Sequence, residues 1–541
     1  MSKSHYLASP KTFVRDATGL VKEFGTVDMV IIASFTTFAL IYATLQFPYF
    51  YGFSPGASLW GAVAIAGIPF LLLQVVYWML SVILPRSGSD YVWIGRVINP
   101  SVAFAWSMVW MLSMFGVSFV GVVSAYTSGI STSLTTWGLL YNTPSLISTA
   151  NSISSPAGSY ALGAVIIIAM GLLGLVGHRS IKTVLYVGSI AAIIGTAVIW
   201  AILGTTTPAT LAPKWDSVFG SQYVTFNGLI TLAQKDGWTS QSVTLGATIA
   251  AMPLAALFLL GGNLGNVISG EIKNVRRAAP VGFLVSLLFG ILFWGIFDVF
   301  VLHATGPTWT YASGYLYDNN ATAYFNAIPY APTLTMIISL AAFPNQGLTF
   351  VVLFLYILGS LPSVFLFFWI PSRYLFAWSF DRILPARISD IGGRFHTPHF
   401  AIGTMTGLGL VLLLLYYFTS WPQAIALGVF ILNCALIVPG LALFAFPFRR
   451  KDMLAMAPSS WTRKVVGLPL VSWIGLIEAI AFLYMAYLGA TNPLIVSPTT
   501  FGIVYSLGII VAAFVIYYVS VAYHRSHGVD IRMAFKEIPP E

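Results

Sequence analysis

Charge is what this sequence has least of. Of 541 residues only 25 are basic and 16 acidic, 8 % in all, where a soluble domain carries about 25 %. A chain this poor in charge and 58 % apolar cannot clothe itself for water, which excludes a soluble enzyme, a disordered chain and a coiled coil. One cysteine, Cys434, excludes an internal disulfide framework. The sequence holds no GxxxxGK[ST] run and no HExxH pair, and its seven histidines are scattered, so no nucleotide hydrolysis, no metal site and no cofactor is expected. Met1 to Gly25 has no apolar centre and no cleavage pattern, unlike a signal peptide.

What remains is a set of long apolar blocks. No Asp, Glu, Lys or Arg occurs from Met29 to Pro85, Val97 to His178, Asn319 to Ser372, Phe395 to Phe448 or Ala479 to His524. Backbone groups inside hydrocarbon must pair within their own segment, so each block reads as helix, and the strict alternation of a membrane β-strand is missing. The hydropathy pattern predicts an all-α polytopic membrane protein. Its twelve helical spans run roughly over 26–48, 57–84, 97–128, 158–177, 182–206, 245–269, 279–303, 347–377, 398–418, 422–446, 468–490 and 499–523. Twelve is even, so both termini are expected on one side. On this segmentation 23 of the 25 basic residues share that side and only Lys214 and Lys235 face the other. The positive-inside rule then puts both termini in the cytoplasm of a multi-pass protein of the cytoplasmic membrane, and the net charge of +9 is a topology signal rather than a nucleic-acid footprint. The outer segments 129–157, 207–244 and 304–330, read as loops, hold five charges, Lys214, Lys235, Asp216, Asp236 and Asp318. A face so short of titratable groups suits an acidic medium, and equally suits short loops lying close to headgroups.

The sixth span is unusual. Phe258-Leu259-Leu260-Gly261-Gly262-Asn263 places two glycines and an asparagine at mid-depth, a poor helix and a good place for bare backbone. Close packing through Gly261 and Gly265 is the alternative, but it has no need of Gly262 or Asn263. The first span has hydroxyls instead, at Ser34, Thr36 and Thr37 before Phe38 and Ala39, which a plain helix also accommodates.

Four stretches then carry a resemblance. Leu84-Pro85-Arg86-Ser87-Gly88-Ser89-Asp90-Tyr91 is similar to P-R-[SA]-G-G-[DS]-Y, and Gly270-Glu271-Ile272-Lys273-Asn274-Val275-Arg276-Arg277-Ala278-Ala279-Pro280 to G-E-x-K-N-P-x-R-x-x-P. Ser372-Arg373-Tyr374-Leu375 through Asp381-Arg382-Ile383-Leu384-Pro385 is similar to S-R-x-L-x-A-x-A-x-D-G-x-L-P, and His396-Thr397-Pro398 to the G-T-P that opens a ninth helix. In order and spacing these resemble the amino acid–polyamine–organocation transporter superfamily, most closely its amino acid permeases. The resemblance implies a LeuT-like fold: two inverted five-helix repeats, 26–206 and 245–446, with broken first and sixth helices. The polar segment 1–25, the outer loop 207–244, two peripheral helices in 447–523 and a tail from 524 to 541 complete the chain.

It implies a substrate site between the two breaks, at Thr36, Thr37, Phe38, Ala39, Phe258, Leu259, Leu260, Gly261, Gly262 and Asn263. The family's G-S-G falls near Ala39-Leu40-Ile41, its aromatic gate on Leu257 beside Phe258, and its fifth-helix lysine on Ala191 or Ala192, so each of these features is altered. The coupling cation is therefore open, with a proton preferred and sodium possible. Ser360 and Ser363 are candidate ligands, and the intramembrane acids Asp298 and Glu478 candidate relays. Asp298, five residues from His303, also reads as a solvated group near headgroups. Asp28, Arg86, Glu271, Lys273, Arg373 and Asp381 are suited to pair across the inner mouth. The expected function is secondary active transport of amino acids in a lipid bilayer, by a monomer or homodimer. The alternatives are carriage of polyamines or other organic amines, exchange, a permease-like nutrient sensor, a channel and a membrane enzyme.

Overall fold

The structure, a computed structural model, describes residues 20–37, 50–113, 116, 119–221, 223–328, 334–392, 395–421, 428–454, 457–492 and 500–536. Long apolar helices dominate them. Nine are long and apolar enough to cross a membrane, and a tenth span is a helix pair bent by 44°. Two shorter apolar helices, Thr26–Thr36 and Pro100–Leu112, stand where the first and third spans are expected.

In chain order the helices that matter below are α1 (Thr26–Thr37), α2 (Leu59–Ile83), α3 (Ser89–Val97), α4 (Pro100–Ser113), α5 (Val120–Leu140), α6 (Pro156–Leu175) and α7 (His178–Thr205). They are followed by α8 (Leu245–Ala250), α9 (Met252–Ala255), α10 (Val275–Thr305), α11 (Gln346–Trp369), α12 (Ser372–Phe380), α13 (His399–Phe418), α14 (Gly428–Arg449), α15 (Leu470–Thr491) and α16 (Thr500–Ser526). Hydroxyl caps start several of them: Ser58 Oγ accepts from Gly61 N at 3.1 Å, Ser155 Oγ from Gly158 N at 3.1 Å and Thr244 Oγ1 from Ala247 N at 3.2 Å. Pro156 fills the first turn of α6, where its missing N–H costs nothing.

With little charge to bury, the bundle closes on small residues. A β-carbon at Gly359 of α11 would lie 2.7 Å from the Ala192 Cα of α7, and one at Gly188 would lie 2.4 Å from Pro362. The α14–α15 contact is as close, since a β-carbon at Gly475 would come 2.4 Å from Gly440 O.

The segments expected as outer loops are largely helical. α5 continues to Leu140, and Pro144–Ser154, Pro208–Val218, Phe226–Lys235, Pro307–Asn319 and Ala321–Ala327 are helices. Their polar composition hid helices lying outside the apolar spans, each able to present a buried side to the bundle. Trp215 and Leu229 on two of them are fully buried. In the third span α4 ends at Ser113 and α5 begins at Val120, and the described residues between them, Gly116 and Phe119, lie in a π-type turn.

Candidate functional site

The sixth span comes apart where its glycines stand. After α9 the chain tightens to a 3₁₀ turn at Ala256–Phe258, Gly261 takes φ +116°, and 3₁₀ turns continue from Gly262 to Glu271 with a kink at Ile268, whose φ −101° and ψ 17° are not helical. 3₁₀ structure is used in such short pieces because its hydrogen bonds are poorly aligned. Gly261 is required twice over. Its backbone is left-handed, and a β-carbon there would stand 1.9 Å from Thr36 O of α1.

The carbonyls freed by the break and by the end of α1 are taken up by side chains of other helices. Thr36 Oγ1 donates to Gly261 O at 2.7 Å, Trp294 Nε1 of α10 donates to Phe258 O at 2.9 Å, and Ser363 Oγ of α11 donates to Phe35 O at 2.7 Å. α1 and the 3₁₀ helix therefore run side by side in opposite directions, tied at both ends. At the far end Glu23 and Phe24 donate to Glu271 O at 3.0 and 3.1 Å, and Lys273 N donates to Phe24 O at 2.9 Å.

Asn263 lies on the 3₁₀ helix just past the break, 1 % exposed, and neither end of its amide meets a hydrogen-bond partner among the described residues. An unpaired buried amide costs about 1–3 kcal/mol. Together with the N–H groups at the start of the 3₁₀ helix, it forms a polar spot at mid-depth. Leu259, Leu260 and Phe258 are buried around it. Phe258 packs edge-on against Trp294 (4.6 Å) and Phe50 (6.2 Å). Beyond Phe50 lies Tyr51, which with Tyr311 and Trp238 lines a cleft on the charge-poor face. Thr37 is the last residue described in α1, while Phe38 and Ala39 lie outside the described residues.

The ion-site candidates divide. Ser360 Oγ returns to its own backbone, Tyr356 O at 2.7 Å, whereas Ser363 reaches across to α1. Asp298 is not a solvated residue near headgroups: it is 4 % exposed and accepts from the Tyr51 hydroxyl and from Trp60 N at 3.3 Å. It stands five residues before His303 on α10, but the chain segment carrying Tyr51 folds over it. Glu478 is fully buried between α14 and α15, with an oxygen against Gly440 and no hydrogen-bond partner among the described residues.

On the basic face the acids expected to pair do so, partly with bases that spacing had not singled out. Glu271 takes Arg373 through Nε and Nη2, both at 2.9 Å, and the His178 ring at 3.1 Å, and Glu271 and Arg373 are fully buried. The Arg373 guanidinium also lies 3.9 Å from the Trp369 ring centre. Asp28 pairs with Lys182 at 2.9 Å and Asp381 with Arg96 at 3.4 Å. Arg86 donates to Pro85 O at 3.0 Å, and the exposed Lys273 contributes its main chain.

One group was missed. Asp90, fully buried at the start of α3, accepts from Tyr77 at 3.0 Å and from Tyr374 at 2.8 Å, and burial pushes its carboxyl up to about 7. Its signal was an acid inside one quoted motif facing the tyrosine of another.

The profile of the amino acid permease family matches residues 24–515, which takes in α1, the broken span and every pair just described. The chain belongs to that family. No curated protein matches it. Family and apolar helices together make it a multi-pass membrane transporter, and as an amino acid permease it has its conspicuous backbone irregularity in the middle of a span.

Proposed function

We propose that this permease is a secondary active transporter that takes up amino acids by alternating access about the sixth-span break. The observation that carries the reading is the opening of the main chain at Gly261 in direct contact with α1. A substrate carboxylate is received by the N–H groups at the start of the Gly262–Glu271 helix, where the positive end of the helix dipole lies, and by the Asn263 amide. The substrate ammonium is received by the second lone pairs of the carbonyls at the end of α1 and of the Ala256–Phe258 turn, whose first are held by Ser363 and Trp294. The first repeat comprises 26–206 and the second 245–446, with both termini cytoplasmic. In the conformation described, Tyr51, Phe50 and Phe258 stand between the outer cleft and the break. The buried Glu271–Arg373 pair supports closure of the inner side.

Proton coupling fits this chain better than sodium. Ser360 is engaged with its own helix and Ser363 with α1, so both candidate sodium ligands are already committed. Asp90 is a buried carboxyl among neutral hydroxyls that changes charge near neutrality. On the outer face Asp318, pushed up to about 8 by burial, stays uncharged in an acidic medium.

Purified protein in liposomes, offered labelled amino acids under an imposed inward proton gradient, tests this. Saturable uptake that collapses with a protonophore and ignores sodium is expected. Binding without uptake would make the protein a sensor, uptake only against preloaded substrate an exchanger, and preference for polyamines a carrier of organic amines.

A further inference from the structure

A second polar cavity lies on the basic face, away from the break, and the transport reading has no use for it. Its volume is about 490 Å³, within the range of small-molecule sites. The end of α3, the turn into α4, the last residue of α14, the Tyr517–Tyr518 turn of α16 and the C-terminal segment wall it. That segment is seated, not loose: Ile531 and Ala534 of the 3₁₀ helix Ile531–Phe535 are fully buried, and the Arg96 guanidinium stands 5.2 Å from the Phe535 ring centre.

The lining contains four cations and no carboxylate. Two are neutralised from outside the cavity, Arg96 by Asp381 at 3.4 Å and Arg532 by Asp530 at 2.8 Å. Arg449 touches only Ile98 O, at 3.3 Å, and neither it nor the exposed Lys536 has a carboxylate partner among the described residues. Two positive charges from distant parts of the chain thus face one space with no carboxylate opposite them among the described residues. Arginine's planar fork suits a phosphate, and lysine adds a point charge.

One edge of the cavity is apolar. α16 is the least buried of the long helices, and Val511, Val515, Tyr518 and Val519 on it are 55–61 % exposed. Tyr518 belongs both to this stripe and to the cavity wall, and Phe448, beside Arg449, is 51 % exposed. A ligand with a phosphate in the cavity has an acyl-chain path along α16.

We propose that this cavity holds the phosphodiester headgroup of an anionic phospholipid, clamped between Arg449 and Lys536, and so fastens the C-terminal segment to α3 and α14. Juxtamembrane cations on a membrane's basic side attract such lipids. The proposal holds whatever substrate the protein carries.

The test uses the full chain in mixed micelles, read by native mass spectrometry and thermal unfolding, with phosphatidylglycerol, phosphatidylcholine or inorganic phosphate added at one ionic strength. Phosphatidylglycerol is expected to stay bound and raise the melting temperature, and phosphatidylcholine and free phosphate to do neither. Arg449→Gln/Lys536→Gln should weaken phosphatidylglycerol retention roughly thirtyfold, from about fivefold for each cation lost. Arg463→Gln/Lys464→Gln, the same charge loss on exposed residues outside the cavity, should leave retention unchanged. If the double variant does not fold, Lys536→Gln alone should give about a fivefold loss. Equal losses in cavity and control variants, retention of phosphatidylcholine as firmly as phosphatidylglycerol, or protection by inorganic phosphate alone would each overturn the assignment.

Discussion

Replacing Gly261 by alanine asks the structure its most direct question. The new methyl carbon would start 1.9 Å from Thr36 O and 2.6 Å from Thr36 C, main-chain atoms of α1 with no rotamer to escape into. Left-handed backbone costs an L-residue about 1–2 kcal/mol, overpacking about 1–3, and loss of the Thr36–Gly261 hydrogen bond about 1, so roughly 3–6 kcal/mol is expected in all. Gly265→Ala is the control on the same 3₁₀ helix. Its β-carbon meets the Met29 Cε at 2.5 Å, the free end of a pliable side chain, and the cost should stay below about 1.5 kcal/mol.

Two readouts are needed. Unfolding of the detergent-solubilised protein, followed by tryptophan fluorescence, gives the stability difference. Uptake into liposomes shows whether α1 and the sixth span still come together. Gly261→Ala should fall well below Gly265→Ala in both. A Gly261→Ala protein as stable and active as the parent would mean that the backbone there is neither left-handed nor pressed against α1, and the substrate site drawn around it would go.

Other outcomes follow from single contacts. Arg373→Gln strands a fully buried Glu271 and should cost about 3–5 kcal/mol, with Glu271→Gln/Arg373→Gln losing less than the two single changes added, in a double-mutant unfolding cycle. Ser363→Ala removes the donor to Phe35 O and should cost about 1–2 kcal/mol and lower uptake, while Ser360→Ala, which returns only to its own helix, should change stability by less than about 0.5. Asp90, raised to about 7 from an ordinary 3.8, stays protonated in the folded protein over a range where the unfolded chain has already released the proton. Its contribution therefore falls as pH rises from about 4 to about 7 and is level above, and Asp90→Asn should flatten that slope in melting curves, which parallel curves would contradict.

Much of this arrangement was legible because the membrane imposes it. Spans show as charge-free blocks, so the nine or ten apolar crossings among the described residues could be drawn from hydropathy. The break was legible too, since Gly261-Gly262-Asn263 has little purpose in a continuous helix. Partners were not. Glu271 lies 93 residues from His178 and 102 from Arg373, and nothing in local spacing says which of several bases on the basic face will reach a buried acid. Lys182 and His178, one helical turn apart at the start of α7, are the bases that reach Asp28 and Glu271, and a same-face i, i+4 pair was the available signal. Polar composition misled in the outer segments, where helices outside the apolar spans still bury one face.

The pairing pattern says why α1 and the sixth span should move together. Thr36 and Gly261 join them at mid-membrane, Phe24 and Glu271 at the basic face, and the Met29 side chain fills the space between through Gly265. Glu271, which grips Arg373 of α12, ends the same 3₁₀ segment whose first residues are proposed to receive the substrate. A ligand that pulls on the Gly262 end would therefore act on a short segment, kinked at Ile268, whose other end holds the buried ion pair. Weakening that pair without unfolding the protein, as with Arg373→Lys, which keeps the charge but loses the two-pronged contact, should raise the rate of opening toward the basic face. Cysteine labelling at a position just behind Glu271, such as Ile272→Cys, would read it: faster labelling in Arg373→Lys, slowed again by bound substrate, is the expected result. A labelling rate indifferent to both the substitution and the substrate would separate the ion pair from the transport cycle.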